Sequence, residues 1–141
     1  MKIVDANVLL YAVNAGSVHH ESARRWLDAA LADAEAVAFD WIVLTAFLRV
    51  STNPTVFPRP LTIDEAAEIV EGWLASPTTV ALGPTTRHAG IMRGLLSPLG
   101  TAGNLVNDAH LAALALEHGA EIVTFDRDFG RFAGIRWSIP G

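Results

Sequence analysis

The apolar positions change period along the chain, and each change marks an element. Lys2, Ile3 and Val4 form a short run rich in β-branched residues that stops at Asp5, which predicts a strand. From Ser17 to Glu21 an amphipathic stretch opens, with Ala23, Trp26, Leu27, Ala30 and Leu31 at helical spacing. Residues 36–39 read as a second strand. Asp40 reads as the N-cap of an apolar helix over 41–50, although Ile42, Val43 and Leu44 equally suit an extension of the strand. Pro54, Pro58 and Pro60 mark an extended loop. Thr62 and Glu65 have capping-box spacing and open a helix through Ile69, Val70, Trp73 and Leu74. A short strand over 80–82 and a helix over about 85–96 follow, then a flexible loop over 100–103. Asn104 is expected to cap a helix whose Leu105, Ala109, Ala112 and Leu116 share one face, with Gly119 as its C-terminal cap. Residues 121–125 read as a strand, Asp126-Arg127-Asp128 begins a loop or single turn, and residues 135–137 read as a last edge strand.

Strands and helices alternate to the end, the order expected of a parallel sheet covered by helices on both faces. No repeat, low-complexity tract or linker divides the 141 residues, so residues 1–141 are expected to form a single α/β domain.

That sheet gives the acids a meaning. Ligands of open α/β sheets bind outside the carboxyl ends of the strands. Asp5 falls at the end of the first strand and Asp126 at the end of the late one. Asp128 follows two residues on, and Asp108 sits near the start of a helix facing the same edge. Each acid alone suits a structural role, as a helix cap, a turn residue or a partner of the helix dipole. Four of them gathered on one rim repel one another, and protons or a cation must offset that. A hard divalent cation, Mg²⁺ or Mn²⁺, suits carboxylates plus water. The chain has no Cys, and His19, His20, His88, His110 and His118 form no HExxH motif or i,i+4 pair, which argues against zinc.

Composition narrows the classes further. Apolar residues make up 51% and charged residues 18%, which excludes a disordered chain. A net charge of −5 argues against a protein that coats nucleic acid, but not against one that grips it through a metal and a few arginines. Nine of the ten basic residues are Arg, the side chain suited to bidentate phosphate contacts, and Arg87 and Arg93 on the helix after the third strand are candidate phosphate ligands. Trp26, Trp73 and Trp137 read as core or interface. His19 and His20 read as solvated first-turn residues, and Arg49 as a partner for a rim acid or a support for its helix. The start lacks the apolar core of a signal peptide, and the run from Trp41 to Leu48 is too short to span a bilayer, so a soluble, cytoplasmic protein is expected.

At these residues the chain resembles a PIN domain and, within that family, the VapC toxins of toxin–antitoxin pairs. The resemblance covers nearly the whole length. It rests on Asp5-Ala6-Asn7-Val8-Leu9-Leu10-Tyr11, on the run from Ala46 through Arg49 to Pro54, on Gly103-Asn104-Leu105-Val106-Asn107-Asp108-Ala109-His110-Leu111-Ala112-Ala113, and on Thr124-Phe125-Asp126-Arg127-Asp128-Phe129. It implies a PIN-like three-layer α/β/α sandwich with a central, mostly parallel sheet of four to five strands. It further implies a metal-dependent endoribonuclease that leaves 5′-phosphate and 3′-hydroxyl ends. Asp5 and Asp108 match the acids most firmly tied to Mg²⁺, Asp126 a further ligand and Asp128 the outer acid of the cluster. Asn7 would orient its neighbouring carboxylate, and Asn104 would do so for Asp108. A cognate VapB-like antitoxin, an RNA substrate and a homodimer are implied as well, with the helices around Trp26, Trp41 and Trp73 as candidate surfaces.

The chain departs from the family at one place. Many PIN domains carry Glu three residues before the arginine matched by Arg49, where this chain has Ala46, and a methyl binds no metal. Asp40 lies on a different side of that helix and is a poor replacement. A subgroup of VapC-like proteins also lacks this Glu. Two other readings remain open: a catalytically degenerate PIN-like RNA-binding module, and an aspartate-based phosphotransferase or phosphatase. Against the second, Asn7 stands where haloacid-dehalogenase-like enzymes repeat Asp, and Lys2 is the only lysine, whereas receiver-like domains need one late in the chain.

Overall fold

A computed structural model describes residues 1–100 and 102–141; position 101, in the expected loop over 100–103, lies outside the described residues. Among the described residues five strands form one sheet: β1 (Lys2–Val4), β2 (Val37–Phe39), β3 (Thr79–Ala81), β4 (Glu121–Val123) and β5 (Trp137–Ser138), in the order β3-β2-β1-β4-β5. Every pairing is parallel, with Ile3 opposite Ala38 on one side and Ile122 on the other. The resemblance implies a mostly parallel sheet of four to five strands, and among the described residues the five strands pair in parallel throughout. Ile3, Val4, Val37, Ala38, Phe39, Ile122 and Val123 are all buried, as central parallel strands covered on both faces require.

Among the described residues the α-helices are α1 (Ala6–Val13), α2 (His20–Ala32), α3 (Trp41–Ser51), α4 (Ile63–Leu74), α5 (His88–Leu96) and α6 (Val106–His118). The chain steps outward from β1 through β2 to β3, then returns across β1 to β4. Right-handed crossovers therefore place α1 to α4 on one face, and α5 and α6 on the other. The packing agrees: α1 contacts α2 and α3, α3 contacts α4, and α5 contacts α6. At α4 the capping box forms as expected, with Thr62 Oγ1 accepting from the Glu65 N–H and the Glu65 carboxylate accepting from the Thr62 N–H.

Four expectations need correction. Asp40 is the N-cap residue of α3, but its side chain caps nothing and is bonded elsewhere. Asn104 caps no helix. It lies in a 3-10 turn (Gly103–Leu105), and Leu105 is the N-cap residue of α6, without a side-chain bond. The buried surface of α6 is also wider than one face: Ala109 and every residue from Leu111 to Ala115 are buried, while Leu116 is 40% exposed. The helix is covered by both the sheet and α5, so its small residues pack nearly all round. His20 is not simply solvated, because its Nδ1 lies 2.9 Å from the Tyr11 carbonyl. Of the tryptophans, Trp73 is core, Trp26 and Trp137 are half-buried, and Trp41 is 53% exposed.

Candidate active site

The strand order reverses between β1 and β4, because the chain leaves β1 in one direction and places β4 on its other side. A crevice opens at such a switch point, outside the carboxyl ends of the two strands. Asp5 and Thr124 are the residues that immediately follow β1 and β4.

A compact web joins these strand ends. The Asp5 carboxylate accepts from the Ala6 N–H at 2.7 Å through Oδ1, and from Thr124 Oγ1 at 2.8 Å and Asn7 Nδ2 at 3.3 Å through Oδ2. Asn7 also donates to Thr124 Oγ1 at 3.2 Å, and its Oδ1 accepts the Phe125 N–H at 3.1 Å. Thr124 Oγ1 in turn accepts the Asp126 N–H at 2.9 Å. Asp5 is thus both the cap of α1 and the centre of the web. Asp126 caps the 3-10 turn (Arg127–Arg131) by accepting the Asp128 N–H at 2.9 Å, which leaves the Asp128 side chain exposed at the rim. Thr124 is wholly buried. In the sequence its one signal is a hydroxyl at an apolar strand end, two residues before Asp126.

Asp108, in the first turn of α6, lies within electrostatic reach of these acids. Burial, and then the negative charges of Asp5, Asp126 and Asp128, push its carboxyl up from 3.8 to about 6. Burial also raises Asp5; the hydrogen bonds from Thr124 and Ala6 oppose this and the charge of Asp126 adds to it. Asp5, Asp126 and Asp128 therefore all lie within electrostatic reach of Asp108. Among the described residues none of them forms an ion pair with Lys, Arg or His. A cation would relieve that repulsion, and the all-oxygen donor set fits a hard divalent ion. Among the described residues no three acid or imidazole side chains converge tightly enough to enclose an ion unaided. Water or substrate oxygens would complete the shell, as Mg²⁺ commonly requires.

The other predicted positions are more scattered. Among the described residues, the Asn104 side chain makes no hydrogen bond, and Arg49, Arg87 and Arg93, all exposed, make no ion pair. Arg93 lines a shallow groove with Leu96, Ser97, Gly100 and Ala102.

Histidines far apart in sequence do meet, as part of a second polar chain. Asp40 Oδ2 lies 2.8 Å from His110 Nε2, His110 Nδ1 lies 2.9 Å from His88 Nε2, and His88 Nδ1 lies 2.6 Å from Glu117 Oε2. Glu117 also accepts the Thr85 N–H at 2.9 Å and the Thr85 hydroxyl. Burial disfavours the Glu117 anion, but the bonds from Thr85 and His88 outweigh it and hold the carboxyl at about 2. The chain links the start of α3 to α5 and α6, and it engages the Asp40 carboxylate with His110, two residues along α6 from Asp108. The seven-residue spacing of His110 and Glu117 on α6 was its one legible trace.

A fully parallel sheet with an acid cluster at its switch point marks an α/β protein whose ligand site lies at the carboxyl ends of its central strands. The model of the PIN domain family matches residues 2–135, and the chain belongs to that family. It is 57% identical over 140 residues to Ribonuclease VapC37 of Mycobacterium tuberculosis, an alignment covering 99% of this chain and 97% of that one. It is 39% identical to Ribonuclease VapC33 of the same organism, covering 99% and 98%. Among solved structures, VapBC2 from Rickettsia felis bound to a promoter DNA fragment superposes with a TM-score of 0.72 at 18% identity, covering 99% of this chain and 98% of that one. VapC20 of Mycobacterium tuberculosis, described as a sarcin–ricin loop cleaving toxin, superposes with a TM-score of 0.63 at 19% identity, covering 96% and 99%. At that identity the structural likeness speaks to the fold.

Among the described residues no helix is long and apolar enough to cross a membrane.

Proposed function

We propose that the chain is a Mg²⁺-dependent endoribonuclease, the toxin of a VapBC-type toxin–antitoxin pair, with residues 1–141 forming a single PIN-like unit. The observation that carries this reading is Asp108, held at about 6 by burial and by three neighbouring acids that, among the described residues, no basic side chain pairs with. The names of the relatives, ribonucleases at 57% and 39% identity over nearly the full chain, support the reaction class.

Asp5, Asp108 and Asp126 would hold Mg²⁺, with Mn²⁺ as an alternative. When bound, the ion supplies positive charge at the phosphodiester and favours ionisation of water. The protein's own part is orientation. Thr124 and Asn7 fix Asp5 through Oδ2, and Thr124 fixes the backbone of Asp126, so these two acids move as one unit. Asp128, exposed beside them, would orient the attacking water and accept its proton, with Asp126 as its alternative. Hydrolysis in this sense leaves 5′-phosphate and 3′-hydroxyl ends. Arg87 and Arg93 would contact substrate phosphates.

A VapB-like antitoxin is the proposed partner, supported by the VapBC assemblies among the structural relatives. A homodimer is part of the same reading. Trp41, 53% exposed, and Ile42, 41% exposed, are adjacent apolar side chains in the first turn of α3 that such a contact would cover, which light scattering on the Trp41→Ser variant tests. A cytoplasmic location also belongs to this reading.

The deciding experiment compares antitoxin-free protein with Asp108→Asn on total RNA in Mg²⁺, Mn²⁺ or EDTA, with the fragment ends mapped. Discrete cleavage with 5′-phosphate ends, lost in EDTA and reduced at least about a hundredfold in the variant, is expected. Wild-type turnover by Asp108→Asn would overturn the assignment. Ala46, a methyl where many relatives of the fold have a carboxylate, favours one second reading, a binding module without catalysis. Retained RNA binding with no cleavage in any metal would select it.

A further inference from the structure

Beside the acids, three rings that the reaction scheme leaves unused pack into one cluster. The rings of His19 and Phe125 lie 4.6 Å apart at 31°, those of Tyr11 and His19 5.0 Å apart at 44°, and those of Tyr11 and Phe125 5.2 Å apart edge to face. Tyr11 and Phe125 are half-buried, whereas His19 lies on the outside, exposed. The cluster is anchored to the atoms that hold the acids. Phe125 stands between Thr124 and Asp126 and donates its N–H to Asn7 Oδ1, and Tyr11 follows Asn7 by one turn of α1 on the same face. His19 is placed by its own N–H, which donates to Ser17 Oγ at 3.1 Å, and by the next residue, His20, bonded to the Tyr11 carbonyl.

We propose that His19, backed by Phe125 and Tyr11, is a stacking subsite for an unpaired nucleobase of the RNA substrate next to the bond that is cut. This rests on the ribonuclease reading. The chemistry of the rim favours a base over a phosphate here. Four carboxylates repel the anionic backbone wherever no cation screens them, so affinity close to the acids has to come from the uncharged part of the nucleotide. Every base offers a π-face, and aromatic shelves take bases that are out of a duplex, largely regardless of their identity. A ring set on a fixed aromatic base also loses little freedom when a ligand stacks on it.

The test uses single-stranded RNA carrying the site that wild-type protein cuts in total RNA, or the bulk RNA it binds if it cuts none. His19→Ala, His19→Phe and His19→Lys are compared with wild type for kcat and KM, for Mn²⁺ affinity, and, in the Asp108→Asn background, for RNA binding. A 2-aminopurine placed beside the cleavage site, or along the bound RNA if none is cut, reports stacking by its fluorescence. His19→Ala is expected to raise KM and the RNA dissociation constant by about tenfold or more, with kcat and Mn²⁺ affinity close to wild type and the fluorescence quenching lost. His19→Phe restores binding and quenching. Unchanged KM in His19→Ala overturns the proposal while leaving the nuclease reading intact. Rescue by Lys but not Phe also overturns it, since that identifies a phosphate contact. Neither cleavage nor RNA binding by wild-type protein overturns both readings.

Discussion

Asp108 carries an electrostatic cost that can be measured without substrate. Its carboxyl sits at about 6 in the folded protein against an ordinary 3.8, so between these values the folded chain holds a proton that the unfolded chain releases. The sign follows: metal-free protein loses stability as pH rises from about 4 to about 6 and is flat above. Thermal melts in EDTA across that range are expected to show the decline in wild type and a shallower one, left by Asp5, in Asp108→Asn. Above pH 7 the variant should melt higher, by a few degrees. Addition of Mn²⁺ should raise the melting temperature of wild type and narrow that gap. Thr124→Val tests the web from its centre. It keeps the volume but removes the hydroxyl, leaving the Asp126 N–H without its acceptor and Asp5 without its closest side-chain donor. A loss of about 1–3 kcal/mol in urea unfolding is expected, together with weaker Mn²⁺ binding. Asp5 and Asp126 could be read as strand-end acids because a strand end shows where a β-branched run stops, and Asp108 from its place near a helix start. Thr124 could not, because a buried hydroxyl has no pattern to belong to until its partners, 117 and 119 residues away, are in place.

At the scale of elements, the chain from Asp40 through His110 and His88 to Glu117 replaces what a helix cap would have done and ties three helices together. It is the main polar link holding α5 to α6. His88→Ala leaves Glu117 with Thr85 alone and His110 without its neighbour, so α5 is expected to open locally. Hydrogen exchange should speed up in α5 and the residues before it, with protection in β1 and β4 unchanged; equal protection throughout α5 would show the link to be dispensable. Glu117 adds a pH signature of the opposite sense to that of Asp108. Held at about 2 against an ordinary 4.5, it contributes stability that is complete above 4.5 and is lost as pH falls toward 2. Glu117→Gln should flatten that acid limb. Most elements were legible in the sequence: the α4 capping box was read residue for residue, and β1 to its ends. The two cap expectations failed for different reasons. Asp40 has the chemistry of an N-cap and occupies the N-cap position, but its side chain bonds His110 instead. There local propensity gives way because a tertiary contact offers the same side chain more. At Asn104 the chain turns through a 3-10 segment before α6 begins.

The whole molecule rests on a core that both helical layers share with the sheet. Phe47 is fully buried and meets the Trp73 ring edge to face at 4.9 Å, while Phe39 stacks near the same ring at 6.1 Å, so α3, α4 and β2 close on one point. Phe47→Ala is expected to cost about 3–5 kcal/mol in urea unfolding, and the loss should be global. What the sequence determined by itself was the part written in local pattern. The alternation of strands and helices implies a parallel sheet, the stop of each apolar run marks a strand end, and acids at those ends imply a shared rim. The tertiary structure alone decided which distant groups touch. The sheet order, with β4 beside β1, set Thr124 against Asp5, and the layering of α5 on α6 set His88 against His110. It also drew His19 and Phe125, over a hundred residues apart, into one aromatic cluster at the rim. Hydrogen bonds and ring contacts act over a few ångströms, and no periodicity along the chain encodes which strangers will be brought that close.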